Sequence, residues 1–129
     1  FIGVIILPMP YKDKAKQRAY SRMHYKNNKQ KYLDSNSQRR KILKDYVNEI
    51  KSSNPCKDCK IKYPYYVMDF DHLRDKSSLI KKFVSDNNRR GLDLEISKCD
   101  LVCANCHRRR TYKRTQANIA QGKNKTNHK

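Results

Sequence analysis

Acidic residues are scarce in this chain, and so is apolar material. Only 12 Asp and Glu stand against 31 Lys and Arg over 129 residues, a formal net charge of +19. An excess that large on so short a chain implies a polyanionic partner, with nucleic acid first. Hydrophobic residues make up 36%. That is thin for a self-sufficient core, so a domain of this size calls for a staple, metal or disulfide. A bilayer span takes about 20 apolar residues, and the apolar start, Phe1 to Leu7, is far shorter. A clean amphipathic helix and a lipid anchor are both missing, which argues against an anionic membrane as the partner. The start also lacks a basic n-region and a small-residue cleavage site, so no signal peptide is expected. Internal repeats are absent too, and one domain is the expectation. Residues 1–10 are expected to be a non-native or disordered extension, residues 1–8 an over-extended reading frame or a fragment edge. Met9-Pro10-Tyr11-Lys12 opens the basic part.

The five cysteines are an odd number, which fits disulfide pairing poorly. Four of them form two C-x2-C pairs, Cys56/Cys59 and Cys103/Cys106. Knuckles of this spacing suit tetrahedral zinc in a reducing compartment. No βαβ pattern surrounds either pair, so a redox role is disfavoured. Four sulfurs leave no open position on the ion, which makes such a zinc structural. It would also supply stability that the small core lacks. Cys99 is left over and is expected to be a small buried residue near the site.

Residues 11–33 lack Gly and Pro and are expected to form a basic helix with Arg18, Arg22 and Lys26 on one face. The spacing predicts a break over Asp34–Gln38, with Ser35 and Gln38 as a capping box. A second helix then carries Ile42, Leu43, Tyr46, Val47 and Ile50 towards the zinc module and ends at Ser52-Ser53-Asn54-Pro55. Tyr65–Phe70 is aromatic and β-branched and is expected to be a strand. Leu79, Ile80, Phe83 and Val84 fit a short amphipathic helix, and residues 86–91 a turn-rich loop. The stretch Leu92–Cys99 is ambiguous between strand and helix, with helix preferred. Leu101-Val102-Cys103 should be a strand entering the second knuckle, with a basic helix from His107. The basic helical region is expected over 11–53, the zinc-stapled domain over 54–117, and a disordered basic tail over 118–129.

Between the knuckles lies Asp69-Phe70-Asp71-His72. Neighbours on a strand point to opposite sides, so one of Asp71 and His72 can hold a metal while the other faces a water. His107 follows a zinc cysteine directly, which limits where it can point. A hard oxygen from Asp71 with imidazole from His107 suits Mg²⁺ or Mn²⁺ with positions open for phosphate. Arg108, Arg109, Arg110, Lys113 and Arg114 are expected to contact phosphate beside this site. Nothing resembles a base-reading code, so sequence specificity is expected to be low or supplied by a partner.

Together, C-x2-C, V-M-D-F-D-H and C-D-L-V-C-A-N-C-H-R-R-R-T resemble the compact zinc-knuckle branch of the HNH endonucleases, a branch common in phage genomes. The resemblance covers about residues 54–115. It implies an α+β chain with a ββα-metal core, two antiparallel strands and a helix around one divalent ion, stapled by the four-cysteine zinc. It implies His72 as general base and Asp71 and His107 as ligands of a catalytic Mg²⁺ or Mn²⁺, with Ni²⁺ or Co²⁺ as further options. The activity implied is hydrolysis of DNA phosphodiester bonds to 5′-phosphate and 3′-hydroxyl ends, in the cytoplasm of a phage-infected or prophage-bearing cell. Two positions depart from the pattern. The Asn expected nine residues before His107 is Lys98, and a further His four residues after it is Thr111. Orientation of His72 is then left to backbone carbonyls or to Asp69. The rival expectation is a zinc-stapled DNA-binding module without catalysis.

Overall fold

From Lys14 to Ser53 the chain has no Gly and no Pro, and one helix, α1 (Lys14–Ser53), runs through all 40 residues. The computed structural model describes residues 12–122. The expected extension over residues 1–10, and residues 123–129 of the expected tail, lie outside them. Asp13 caps α1, its Oδ1 accepting from the Ala15 N–H at 2.8 Å. Asn54-Pro55 ends it, since Pro offers no N–H to continue the ladder. The break expected at Asp34–Gln38 is corrected: those residues are helical. Ser and Asn lower helix propensity by only a few tenths of a kcal/mol each. Asp34 is also satisfied inside the helix, accepting from Gln30 Nε2 at 2.8 Å.

The chain divides into two units, Phe1–Gln38 and Arg39–Lys129. In the first, no described residue is buried, as its weak apolar stripe suggests. Its aromatic side chains associate along the helix surface, the Tyr25 and Tyr32 rings stacking at 5.8 Å.

In the second unit, the end of α1 is followed by the first knuckle, a 3-10 turn over Tyr65–Val67 and strand β1 (Met68–His72). Two short helices come next, α2 (Ile80–Ser85) and α3 (Arg89–Ile96), then β2 (Cys99–Cys103) and α4 (Ala104–Ala120). The expected strand at Tyr65–Phe70 is therefore shifted, with Asp71 and His72 inside it. The helical reading of Leu92–Cys99 holds as far as Ile96. The expected tail is also shortened, because α4 continues through residues 118–120. The result is α+β, with one two-stranded sheet among the described residues. β1 and β2 are antiparallel, with Met68 opposite Cys103, Asp71 opposite Asp100 and His72 opposite Cys99. No described helix is long and apolar enough to cross a membrane.

Two small apolar clusters hold this unit. In one, Leu43 and Val47 of α1 meet Leu92 of α3, bordered by Phe70, Phe83 and Ile96. Each such side chain contributes about 1.5–3 kcal/mol when fully buried. As expected, the end of α1 packs on the domain that follows it, against α2, α3 and Phe70 of β1. Ile42, expected in the stripe, is 63% exposed. Gly91 lets this corner close: a Cβ there would sit 2.7 Å from the Phe83 ring. Asn88 caps α3 at the same point by accepting from the Gly91 N–H at 2.9 Å. The other cluster consists of Cys56, Met68, Val102, Cys103 and Cys106.

Candidate functional site

The first knuckle turns at Lys60, whose φ of 62° places it in the left-handed region. The turn is closed by the Lys60 N–H donating to the Cys56 carbonyl and the Cys56 N–H donating to the Ile61 carbonyl, both at 2.9 Å. β2 delivers Cys103, which caps α4, and the first turn of α4 delivers Cys106. The sulfurs of Cys56, Cys59, Cys103 and Cys106 lie within 4.8 Å of one another. Cys59 and Cys103 are 3.9 Å apart. Tetrahedral zinc, with Zn–S of about 2.3 Å, places its sulfurs about 3.8 Å apart. Backbone N–H groups already point at these sulfurs, Cys103 N–H donating to Cys56 Sγ at 3.3 Å. Burial acts to raise the Cys56 thiol, yet donors from Cys59, Cys103 and Asp58 outweigh it and bring it to about 6. The four cysteines can hold one structural metal ion, and an all-sulfur set suits zinc. Cys99 is outside the set. Its Sγ donates to the Glu95 carbonyl at 3.3 Å, and burial, more than the nearby carboxylates, raises its thiol to about 11.

Beside the cysteines, α4 carries His107 against β1. His107 Nδ1 lies 3.1 Å from Asp69 Oδ2, and its Nε2 lies 3.6 Å from Asp71 Oδ1. Asp69 and Asp71 are two apart on a strand and so share a side. A carboxylate bonded to one ring nitrogen is the arrangement that orients metal-binding histidines. Asp69 thus serves His107 and not His72, correcting one of the two options for orienting His72.

Asp71 is only 3% exposed, and its other partners are cationic. Arg114 forks onto both oxygens at 2.8 and 2.7 Å, and Arg110 Nη1 donates to Oδ2 at 2.9 Å. The Arg114 bonds lead in holding the Asp71 carboxyl down to about 2, with burial opposing them and Arg110 adding to them. Asp71 Oδ1 and His107 Nε2 are of the donor types that hold a divalent cation, but Oδ1 is taken by Arg114 in this structure. Arg114 is 48% exposed, so its side chain has solvent to move into.

Arg110 also forks onto Asp58 of the knuckle at 2.7 and 2.6 Å and donates to Asp100 at 2.9 Å. Arg110 and Arg114 follow His107 by three and seven residues and share its helical face. Arg108, Arg109 and Lys113 are exposed and border a different hollow, with Asn105 and Tyr112. The expectation that all five basic residues meet phosphate as one group is corrected: two of them bind the protein's own carboxylates.

A cleft of about 670 Å³ joins Asp69, Asp71, His72 and His107. Lys44, Lys51, Lys76 and Lys81 also line it. Lys51 is half-buried, with its ammonium 5.4 Å from the centre of the Phe70 ring. Burial lowers its pKa while Asp69 opposes that shift. Among the described residues, Lys44, Lys76 and Lys81 have no carboxylate partner. The cleft therefore combines an acid–imidazole centre with a rim of lysines free to meet phosphate.

His72 points to the other side of β1 from Asp71 and meets a residue that the sequence reading overlooked. Its Nε2 lies 3.0 Å from Oε1 of Glu95, which is 1% exposed. The same oxygen accepts from the Ser77 and Ser78 N–H groups at 2.9 and 3.4 Å. Lys98 donates to Oε2 at 3.1 Å. A signal existed: Leu92, Glu95 and Ile96 share one face of α3, so Glu95 interrupts an apolar stripe. No family model matches this chain, and neither a curated protein nor a solved structure matches it.

Proposed function

We propose that this chain is a metal-dependent DNA endonuclease of the HNH type, with a ββα core formed by β1, β2 and α4 and stapled by the four-cysteine zinc. The observation that carries this is that Asp71, His72 and His107 all line one lysine-rimmed cleft, in a unit that also holds the four clustered sulfurs. The +19 charge supports a polyanionic substrate.

In this mechanism the lysines hold the phosphate backbone across the cleft. His72 takes a proton from a water, whose oxygen bonds to phosphorus as the bond to the 3′-oxygen breaks, and the departing 3′-oxygen takes a proton from solvent water. The products carry 5′-phosphate and 3′-hydroxyl ends. Asp71 and His107 would hold the divalent ion, Mg²⁺ or Mn²⁺, with Asp69 fixing the His107 ring. When bound, that ion supplies Lewis-acid stabilisation of the phosphoryl charge and the leaving oxygen. Arg110 keeps the knuckle, both strands and α4 in register.

One observation favours a second reading, a zinc-stapled DNA-binding module without catalysis. Both oxygens of Asp71 are already engaged by Arg114. Incubating supercoiled plasmid with purified protein, with and without Mg²⁺ or Mn²⁺, separates the two. Metal-dependent nicking or linearisation is expected. Plasmid that is bound and retarded but uncut under every metal condition establishes the binder.

A further inference from the structure

We propose that Glu95, held in place by Lys98, is a positioning residue that fixes His72 as the tautomer protonated at Nε2, leaving Nδ1 to accept the proton from water. This rests on the nuclease reading above for its purpose, but not for its geometry. The carboxylate of Glu95 is nearly enclosed, and its surroundings are all donors: two backbone N–H groups on Oε1 and the Lys98 ammonium on Oε2. An acid in such a setting stays ionised and can only accept. Burial would raise its pKa, but the Lys98 bond and the two N–H donors outweigh it and bring the carboxyl to about 2. The hydrogen shared between Glu95 and His72 at 3.0 Å therefore belongs to Nε2. His72 Nδ1 has no protein partner among the described residues, and His72 is among the residues lining the cleft.

Lys98 makes the arrangement rigid. Its three ammonium hydrogens match three acceptors: Glu95 Oε2, the Asp75 carbonyl at 3.0 Å and Ser77 Oγ at 2.9 Å. The Lys98 carbonyl accepts from the Leu73 N–H at 3.0 Å, which ties down the chain just after His72. The loop after β1 is thus fastened to α3 around one carboxylate. Lys98, a departure from the resembled pattern, is what lets Glu95 remain charged in a buried place. The Glu95–Lys98 pair does the orienting expected of an Asn at this position.

Two readouts on the full-length zinc-loaded protein test this. The first is ¹⁵N NMR of ring-labelled histidines, with His72→Ala assigning the signal, at a pH where the ring is neutral. Wild type should show His72 protonated at Nε2. Glu95→Gln, whose carbonyl oxygen still accepts, should keep that tautomer, and Glu95→Ala should release a mixture. The second is single-turnover cleavage. Glu95→Ala should lower the rate by about 10–100-fold, the range for loss of an orienting partner, with DNA affinity unchanged. Glu95→Gln should recover most of the loss, and Glu95→Ala should add no loss to His72→Ala. A wild-type His72 protonated at Nδ1 overturns the proposal. So does a Glu95→Ala loss of equal size in the His72→Ala background, or a Glu95→Gln variant that folds but has lost the tautomer. The NMR readout needs no cleavage. A wild type that holds the Nε2 proton but cuts no DNA overturns the nuclease reading and leaves the positioning geometry intact.

Discussion

Replacing Arg110 by Ala should damage the fold, while replacing its neighbour Arg109 should not. Arg110 makes four short bonds to three carboxylates on the knuckle, β1 and β2. The fork to Asp58 is open to solvent, which screens it, so it adds little. Asp71 is buried, but it keeps its Arg114 fork after the substitution, so its loss is one charged bond of about 1–2 kcal/mol. Asp100 is left with Lys57 at 3.7 Å, which adds about 1 kcal/mol at most. The expected destabilisation is about 1–3 kcal/mol. Arg110→Lys should recover less than half, because an ammonium cannot fork onto Asp58 and still reach Asp71 and Asp100. Arg109→Ala should stay within about 0.5 kcal/mol, as exposed substitutions do. Urea unfolding of the zinc-loaded protein, followed by circular dichroism, measures all three. Equal small losses at 109 and 110 would refute the role given to Arg110 and return it to the DNA-contacting group.

The protein purified without added metal should contain one equivalent of zinc by elemental analysis, and Cys103→Ser should lose both the zinc and the cooperative fold. Zinc well below one equivalent would count against the site. Because the folded pKa of Asp71 is depressed, led by the Arg114 bonds, its pairing contributes stability above the ordinary carboxylate range and loses it as pH falls towards about 2. Arg114→Gln should therefore flatten the loss of stability between about pH 4 and pH 2; a variant whose urea midpoint falls as steeply as wild type contradicts this. DNA affinity should fall with salt at a log–log slope of about −0.9 per phosphate contact. Removing Lys44, Lys76 and Lys81 together should make the slope shallower by about 3. An unchanged slope would exclude the cleft as the DNA path.

The zinc ligands were legible because spacing alone defines a knuckle. Strand alternation anticipated that Asp71 and His72 face opposite ways, as their separate partners show. What they face was not legible, since it depends on pairs far apart in sequence. Glu95 reaches His72 across 23 residues and Arg110 reaches Asp58 across 52. A charge run read linearly looks uniform, whereas α4 sorts it by face, turning Arg110 and Arg114 inward with His107. The single helix α1 was missed because Ser35 and Gln38 satisfy a capping pattern. With no Gly or Pro, nothing in that stretch forces the backbone to leave the helix.

Single-turnover cleavage by His72→Ala, set beside Asp71→Ala and His107→Ala, tests the central claim most directly. With His72 as general base, His72→Ala should bind zinc and DNA like wild type and cut about 10²–10⁴-fold more slowly. Raising Mg²⁺ or Mn²⁺ should not rescue it, since a cation does not replace the proton acceptor. Asp71→Ala and His107→Ala should respond to added metal, because what they lose is affinity for it. A wild type that cuts, with a His72→Ala variant that cuts equally fast, would contradict the account.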